Sequence, residues 1–170
     1  MKRVLILGNS GSGKSTLAAD LGKVTGIPVI YLDAHFWSAG WIEPQRDLWQ
    51  EKVTGLLAGE SWIMDGNYQK TLKQRLQRAD TVIYLDFPRD VCFRRVFKRL
   101  LMYWRKSRPD IAPGCREKVD FSFLRWIWYF PRDVKPKVFK NISNMDKQLD
   151  LHVFNTRSEI DQFLKHFADL

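Results

Sequence analysis

Short apolar runs alternate with amphipathic stretches along the whole chain, and the hydrophobic period switches between that of a buried strand and that of a helix. Residues 4–7 form a continuous run of β-formers ending at Gly8, the pattern of a buried parallel strand. Residues 15–24 read as a helix, with Leu17, Ala18, Leu21 and Val24 on one face. A second strand is expected over 28–32, closed by Asp33, and a helix over about 44–57 after an aromatic loop holding His35, Phe36, Trp37 and Trp41. A third strand over 62–64 closes on Asp65, a helix covers 69–78, and a fourth strand over 81–85 closes on Asp86 and Pro88. Helical spacing resumes over 89–104, with Val91, Phe93, Val96, Phe97, Leu100 and Leu101 as its packing face. Periodicity is lost over 105–118, where Pro109, Pro113 and Gly114 mark a loop or lid. A helix over 120–131, a fifth strand over 151–154 and a closing helix over 158–167 complete the reading, with no pattern assigned directly after Pro131. Such alternation indicates an α/β domain around a parallel sheet.

At 170 residues this is one domain's worth of chain, and 45% hydrophobic with 28% charged residues is ordinary for a globular protein. No apolar run reaches the roughly 18 residues of a membrane span. There is no signal-peptide pattern at the N-terminus, so a cytoplasmic protein is expected, with no membrane partner. Cys92 and Cys115 stand apart from any metal-binding or CxxC spacing and are read as structural.

Charge changes the picture more than composition does. Residues 89–118 hold ten Lys and Arg against three Asp and Glu, so +7 of the formal +9 lies in one short stretch. That fits either a nucleic-acid patch or a cluster that closes over the polyanionic tail of a nucleotide.

Gly8, Asn9, Ser10, Gly11, Ser12, Gly13, Lys14 and Ser15 fit the GxxxxGK[ST] pattern in full, between a strand and a helix as the mechanism requires. The loop's N–H groups and the following helix N-terminus form an anion nest. Lys14 is expected at the β- and γ-phosphates, Ser15 on Mg²⁺ and Thr16 at the α-phosphate. The chain is therefore read as a nucleoside triphosphate binder, with ATP and Mg²⁺ as cofactors.

Ligands of open parallel sheets bind at the carboxyl ends of the strands, which directs attention to the acids there. Asp65 is the candidate second metal residue. Asp33 is the candidate base or positioning group for a hydroxyl nucleophile. Asp86, ahead of Pro88, is read as a cap for the next helix.

Residues Asp65-Gly66-Asn67-Tyr68, then a strand ending near Pro88 and a helix with Arg95 and Arg99 four residues apart, resemble the adenylate-kinase group of P-loop kinases. More closely, the chain resembles the bacterial DNA topology modulation, or FlaR-like, branch of that group. The residues that carry this are Leu32-Asp33 with Phe36-Trp37 and Gly40-Trp41; Asp65 to Tyr68; Arg108-Pro109-Asp110 with Pro113-Gly114-Cys115; and Phe123-Leu124 with Trp126-Ile127-Trp128. The resemblance implies a three-layer P-loop NTPase fold of adenylate/shikimate-kinase type, with a five-stranded parallel sheet in the order 2-3-1-4-5 and a basic lid. It implies one domain over 1–170, an acceptor-binding insert at about 34–60 and a lid at about 103–118. It also implies that Arg95 and Arg99 bind the ATP phosphates and that a lid arginine, Arg108 or Arg116, reaches the transferring phosphoryl group. Arg157 is expected beside the adenine. Asn67-Tyr68-Gln69 replaces the Phe-Pro-Arg of true adenylate kinases, and their Gly-Asp-x-x-Arg acceptor segment is missing, so AMP is not implied as acceptor.

Phe36, Trp37, Asn67 and Tyr68 are candidate acceptor contacts beside Asp33, the aromatic rings serving either to stack a base or sugar or to fill the core. The function expected is a phosphotransferase acting on a small molecule, a nucleotide or nucleoside first among them. A DNA-binding protein with a regulatory or hydrolytic ATP site is the alternative. No Asn-Lys-x-Asp base-reading motif supports a GTPase.

Overall fold

The computed structural model describes residues 1–104, 106 and 110–168. Five parallel strands form one sheet: β1 (Arg3–Gly8), β2 (Val29–Tyr31), β3 (Trp62–Asp65), β4 (Thr81–Leu85) and β5 (Asp150–Phe154). Their spatial order is β2-β3-β1-β4-β5, all parallel, as expected from the sequence. Eight helices are present among the described residues: α1 (Lys14–Thr25), α2 (Leu32–Phe36), α3 (Arg46–Leu56), α4 (Gln69–Arg78), α5 (Arg89–Met102), α6 (Phe121–Asp133), α7 (Lys135–Ser143) and α8 (Arg157–Ala168).

Central strands read as continuous apolar runs because both of their faces are covered. Along β1, Val4 and Ile6 face one layer while Leu5 and Leu7 face the other, the two-residue period dividing one strand between two cores. The first core joins Leu5, Leu7, Met64 and Tyr84 to Trp49 and Val53 of α3, Leu72 and Leu76 of α4, and Val138 of α7. The second joins Val4, Ile6, Ile63 and Ile83 to Leu17 and Leu21 of α1, Val96 and Leu100 of α5, and Ile160 of α8. Three layers result.

Several sequence expectations are corrected. β2 ends at Tyr31, so Asp33 lies in the first turn of α2 rather than at a strand end, and part of the aromatic loop is helical. The helix placed at 44 starts at Arg46, and α5 stops at Met102 instead of 104. α6 runs through Pro131 to Asp133, and α7 follows where no pattern was assigned. The missing N–H of Pro131 costs one helix bond near the helix end. Asp86 does not cap α5: Pro88 holds that position without a side-chain cap, and Asp86 Oδ2 accepts from Lys135 Nζ at 2.5 Å.

Candidate active site

β1 lies at the sheet centre between β3 and β4, and a cleft of about 1370 Å³ opens where the loop leaving it turns into α1. Gly11 sits at φ +79, and a Cβ there would come 2.3 Å from the Cys92 carbonyl oxygen, so α5 packs directly on the loop backbone. Gly13 at φ +99 has nothing within 4 Å of its missing Cβ, which leaves that side of the loop open toward a ligand. Asn9 fixes the loop crest from inside: its Nδ2 donates to the Ile127 carbonyl at 2.9 Å and its Oδ1 accepts from the Ser10 N–H at 2.8 Å. The Lys14 ammonium donates to the Asn9 carbonyl at 3.0 Å, curled over the loop it is expected to serve.

The turn after β3 ties this loop to the rest of the cleft. Asn67 grips Gly8 at both ends, its Nδ2 donating to the Gly8 carbonyl at 2.8 Å and its Oδ1 accepting the Gly8 N–H at 3.3 Å. Tyr68 holds a positive φ of 24°, a strained backbone for a bulky residue. Arg75 of α4 explains why the turn persists. It is fully buried, and its guanidinium donates to the carbonyls of Gly66 at 2.8 Å, of Tyr68 at 3.0 Å and of Asn67. Burial pushes the Arg75 pKa down to about 9, opposed by the neighbouring Tyr68 and Asp65, so it remains charged at neutral pH. Sequence reasoning missed Arg75. Its signal was a charge at i+3 from Leu72 on the apolar face of α4, where a guanidinium must find buried acceptors.

Two of the carboxylates lining the cleft are the sequence candidates Asp65 and Asp33. Asp65 is buried, and its Oδ2 accepts from the Ser15 hydroxyl at 2.6 Å. Its Oδ1 has no hydrogen-bond partner among the described residues. Burial pushes its pKa up to about 6, opposed by Lys14 and the Ser15 hydrogen bond and assisted by the Asp33 and Asp110 charges. A buried carboxylate with one unpartnered oxygen beside a hydroxyl fits a hard cation that takes oxygen ligands. Among the described residues no group of three or more His, Cys, Asp or Glu gathers to hold a metal, so protein ligands at this site would be the Asp65 carboxylate and the Ser15 hydroxyl alone. Asp33 accepts from the Tyr68 hydroxyl at 2.6 Å through Oδ1. Burial first, then Asp33, raises the Tyr68 pKa, which keeps the phenol a donor.

Beyond Asp33 the wall is aromatic. Phe36 meets Trp49 edge-on at 4.9 Å and Tyr68 at 4.6 Å, and Trp37 meets Trp41 at 5.3 Å, with all five rings lining the cleft. Trp49, which the sequence reading left in a helix without a role, is both core and wall. Residues 110–118 fold onto this wall. Ile111, Ala112 and Cys115 are buried against Trp37 and Trp41, Gly40 N–H donates to the Gly114 carbonyl at 3.2 Å, and Trp41 Nε1 donates to the Arg116 carbonyl at 2.8 Å.

From α5, the Arg95 guanidinium lies 4.7 Å over the Phe87 ring and donates to the Ser12 carbonyl at 3.3 Å. Arg99 pairs with the buried Glu117 at 3.3 Å, and both line the cleft. A smaller cavity of about 180 Å³ lies on the other side of the loop, between Ser12, Thr16, Phe87, Arg95, Arg157 and Ile160. Arg157 there is held by Asp161 at 2.9 Å and Asp20 at 3.5 Å.

The sequence candidates thus divide. Lys14, Ser15, Asp33, Asp65, Phe36, Trp37, Tyr68, Arg95 and Arg99 converge on one cleft. Asn67 lines it but spends its amide on Gly8, so it positions the loop. The Arg116 side chain is exposed and lies outside the cleft-lining set, in which Lys118 takes a place instead. Arg108 lies outside the described residues. His35 is not part of the wall, and its carbonyl accepts from Lys52 at 2.7 Å. Trp126 lines the cleft, whereas Trp128 packs on Phe93 and under Arg89.

No protein-family model matches the sequence, and no curated protein matches it. Solved structures do match in fold over nearly the full chain. A shikimate kinase from Bacteroides thetaiotaomicron superposes with a TM-score of 0.56 at 18% identity, over 99% of this chain and 96% of that one. A deoxyadenosine kinase from M. mycoides with bound dCTP gives 0.53 at 12% identity, over 98% and 99%. A gluconokinase from Sinorhizobium meliloti gives 0.53 at 12%, over 99% and 90%. The fold is the three-layer α/β fold of the P-loop kinases, with a five-stranded parallel sheet in the order 2-3-1-4-5.

Proposed function

We propose that the protein is an ATP-dependent phosphotransferase that moves the γ-phosphoryl group to a hydroxyl of a small acceptor, a nucleoside or nucleotide being the leading class. One observation carries this reading: the Lys14–Ser15–Asp65 group and the Asp33–Tyr68 pair face the same cleft, one suited to a Mg²⁺-triphosphate and the other to a hydroxyl nucleophile. The fold shared with shikimate, deoxyadenosine and gluconate kinases agrees with it.

In this reading the 8–15 loop receives the phosphates on its N–H groups, Lys14 swings from the Asn9 carbonyl to the β- and γ-oxygens, and Thr16 meets the α-phosphate. Arg157 borders the adenine next to the Arg95–Phe87 stack. Ser15 and Asp65 would hold Mg²⁺, which would supply charge neutralisation for the triphosphate. Asp33, held by Tyr68 through Oδ1, keeps Oδ2 for the acceptor hydroxyl and takes its proton as the new O–P bond forms and the bond to the leaving ADP breaks. Arg95 and Arg99 offset charge on the phosphoryl group in flight, with Arg108 or Arg116 of the lid joining them on closure. The segment at about 34–60 serves as the acceptor insert and about 103–118 as the lid. Their contacts through Trp37, Trp41 and Ile111 close the cleft against water, which guards ATP from hydrolysis.

The alternative, a DNA-binding protein of the topology-modulation kind with a regulatory ATP site, draws on the basic 89–118 stretch. Part of that charge is otherwise engaged: Arg94 with Asp90, Arg95 at the loop and Arg99 with Glu117. Incubation with γ-labelled ATP and a panel of nucleosides, nucleotides and hydroxy acids tests the kinase reading, with Lys14→Ala as control. Transfer to a small acceptor that Lys14→Ala abolishes is the expected result. No transfer to any acceptor, together with DNA-stimulated hydrolysis, would reject it.

A further inference from the structure

More than half of the large apolar side chains exposed among the described residues fall between positions 97 and 128, next to the cleft and, Trp126 apart, outside it. On α5, Arg94, Phe97, Lys98 and Leu101 recur at helical spacing along one outward stripe, continued by Met102. On α6, Phe121, Arg125 and Trp128 do the same. The two helices pack on each other, with Phe93 against Trp128 at 6.0 Å. The ends that lead into and out of the lid are brought together, since Trp104 bridges to Glu117 and Glu117 N–H donates to the Lys106 carbonyl at 2.9 Å. Phe121 at 81%, Leu101 at 66% and Met102 at 62% exposure therefore stand near the base of the lid. Around them lie Lys98, Lys106, Lys118 and Arg125, all exposed. The acids of this region are engaged: Asp90 with Arg94, Glu117 with Arg99, and Asp120 as the cap of α6, accepting from Ser122 and Phe123 N–H groups.

We propose that this face of α5 and α6 docks on the surface of an anionic lipid bilayer, with Leu101, Met102 and Phe121 entering the headgroup region and the surrounding lysines and arginines meeting lipid phosphates. Charge selects the occupant. A second copy of the chain would set two strongly basic patches against each other. A nucleic acid would reward the basic side chains, but a phosphate backbone gives nothing to protruding Leu and Met side chains. A bilayer interface rewards both, since binding there scales with buried apolar area plus attraction to anionic lipid. The inference is independent of the kinase reading, because Leu101, Met102, Phe121 and Lys98, on which it turns, lie outside the cleft.

Co-sedimentation with vesicles of phosphatidylcholine alone, or mixed with phosphatidylglycerol, tests it on the whole protein. The expected result is binding to the mixed vesicles only, weakened about tenfold or more in a Leu101→Ser/Phe121→Ser double variant and roughly fivefold by Lys98→Gln. These side chains are exposed, so melting temperature and ATP binding should stay at wild-type values. Absence of binding to the mixed vesicles overturns the proposal, as does binding that the double variant leaves unchanged. Tight binding to duplex DNA, lost with Lys98→Gln and indifferent to the double variant, would assign the face to nucleic acid. A dimer in solution that the double variant dissociates would assign it to a second copy.

Discussion

Replacing Arg75 by Met removes the donor that holds the turn after β3 while filling nearly the same volume with apolar atoms. Three carbonyls lose a partner. That of Tyr68 retains the Thr71 N–H at 3.0 Å, whereas those of Gly66 and Asn67 lose the guanidinium donor they share. Two buried acceptors left unmade cost about 1–3 kcal/mol each. The variant also no longer buries a charge, which offsets part of that loss. A net destabilisation of about 2–4 kcal/mol follows, or a fall of roughly 5–15 °C in melting temperature for a chain of this size. Function should suffer beyond stability, because the turn carries Asn67 against Gly8 and Tyr68 against Asp33. With the backbone of Tyr68 free to leave its positive φ, ATP affinity should drop about tenfold even well below the melting point. Thermal melting followed by circular dichroism and ATP titration by calorimetry measure the two effects separately. A variant that melts within about 2 °C of wild type and binds ATP equally well would refute the argument, since Arg75 would then be a dispensable buried charge.

Asp65 gives a pH prediction. Its folded pKa of about 6 lies above the ordinary 3.8, so the folded state holds the extra proton between those values and stability falls as pH rises from about 3.8 to about 6. Asp65→Asn should therefore stabilise the magnesium-free protein at pH 7 by about 1–3 kcal/mol in denaturant titration, while removing any magnesium-dependent gain in ATP affinity. In the wild type that gain should decline below about pH 6. Tyr68→Phe deletes one hydroxyl from Asp33; turnover should fall about 10- to 100-fold with ATP affinity unchanged, as read from initial rates and calorimetry. The loop glycines should separate packing from backbone strain: both Gly11→Ala and Gly13→Ala put an L side chain at a positive φ, but Gly11→Ala also drives a Cβ into the Cys92 carbonyl and should lower the melting temperature further, whereas Gly13→Ala meets open space and adds a loss of ATP binding. Equal melting of the two variants would contradict the packing described for α5.

The sequence by itself determined the alternation of elements, the 8–15 loop and the acids at Asp33 and Asp65. Those features are local: a strand, a glycine turn and a helix follow one another within a few residues, and buried parallel strands announce themselves as apolar runs. Local signals also set the limits. The helical turn Leu32–Phe36 looked like a strand end followed by a loop because a five-residue helix is too short to show a period, and α7 after Pro131 was hidden by the proline that α6 accommodates. Only the tertiary structure decided which side chains meet. Asn67 was placed with the acceptor from its position past β3, yet its amide is bound to Gly8, and Asp86 turned from an expected cap into the partner of Lys135. Arg75 became central because three carbonyls from a strained turn converge on it, a geometry that helical spacing does not encode. Trp49 joined the wall because α3 lies beside Phe36 and Tyr68, and residues 110–118 came to rest on Trp37 and Trp41 across some seventy positions of chain. Contacts at that separation depend on how layers pack, and packing is a property of the folded whole.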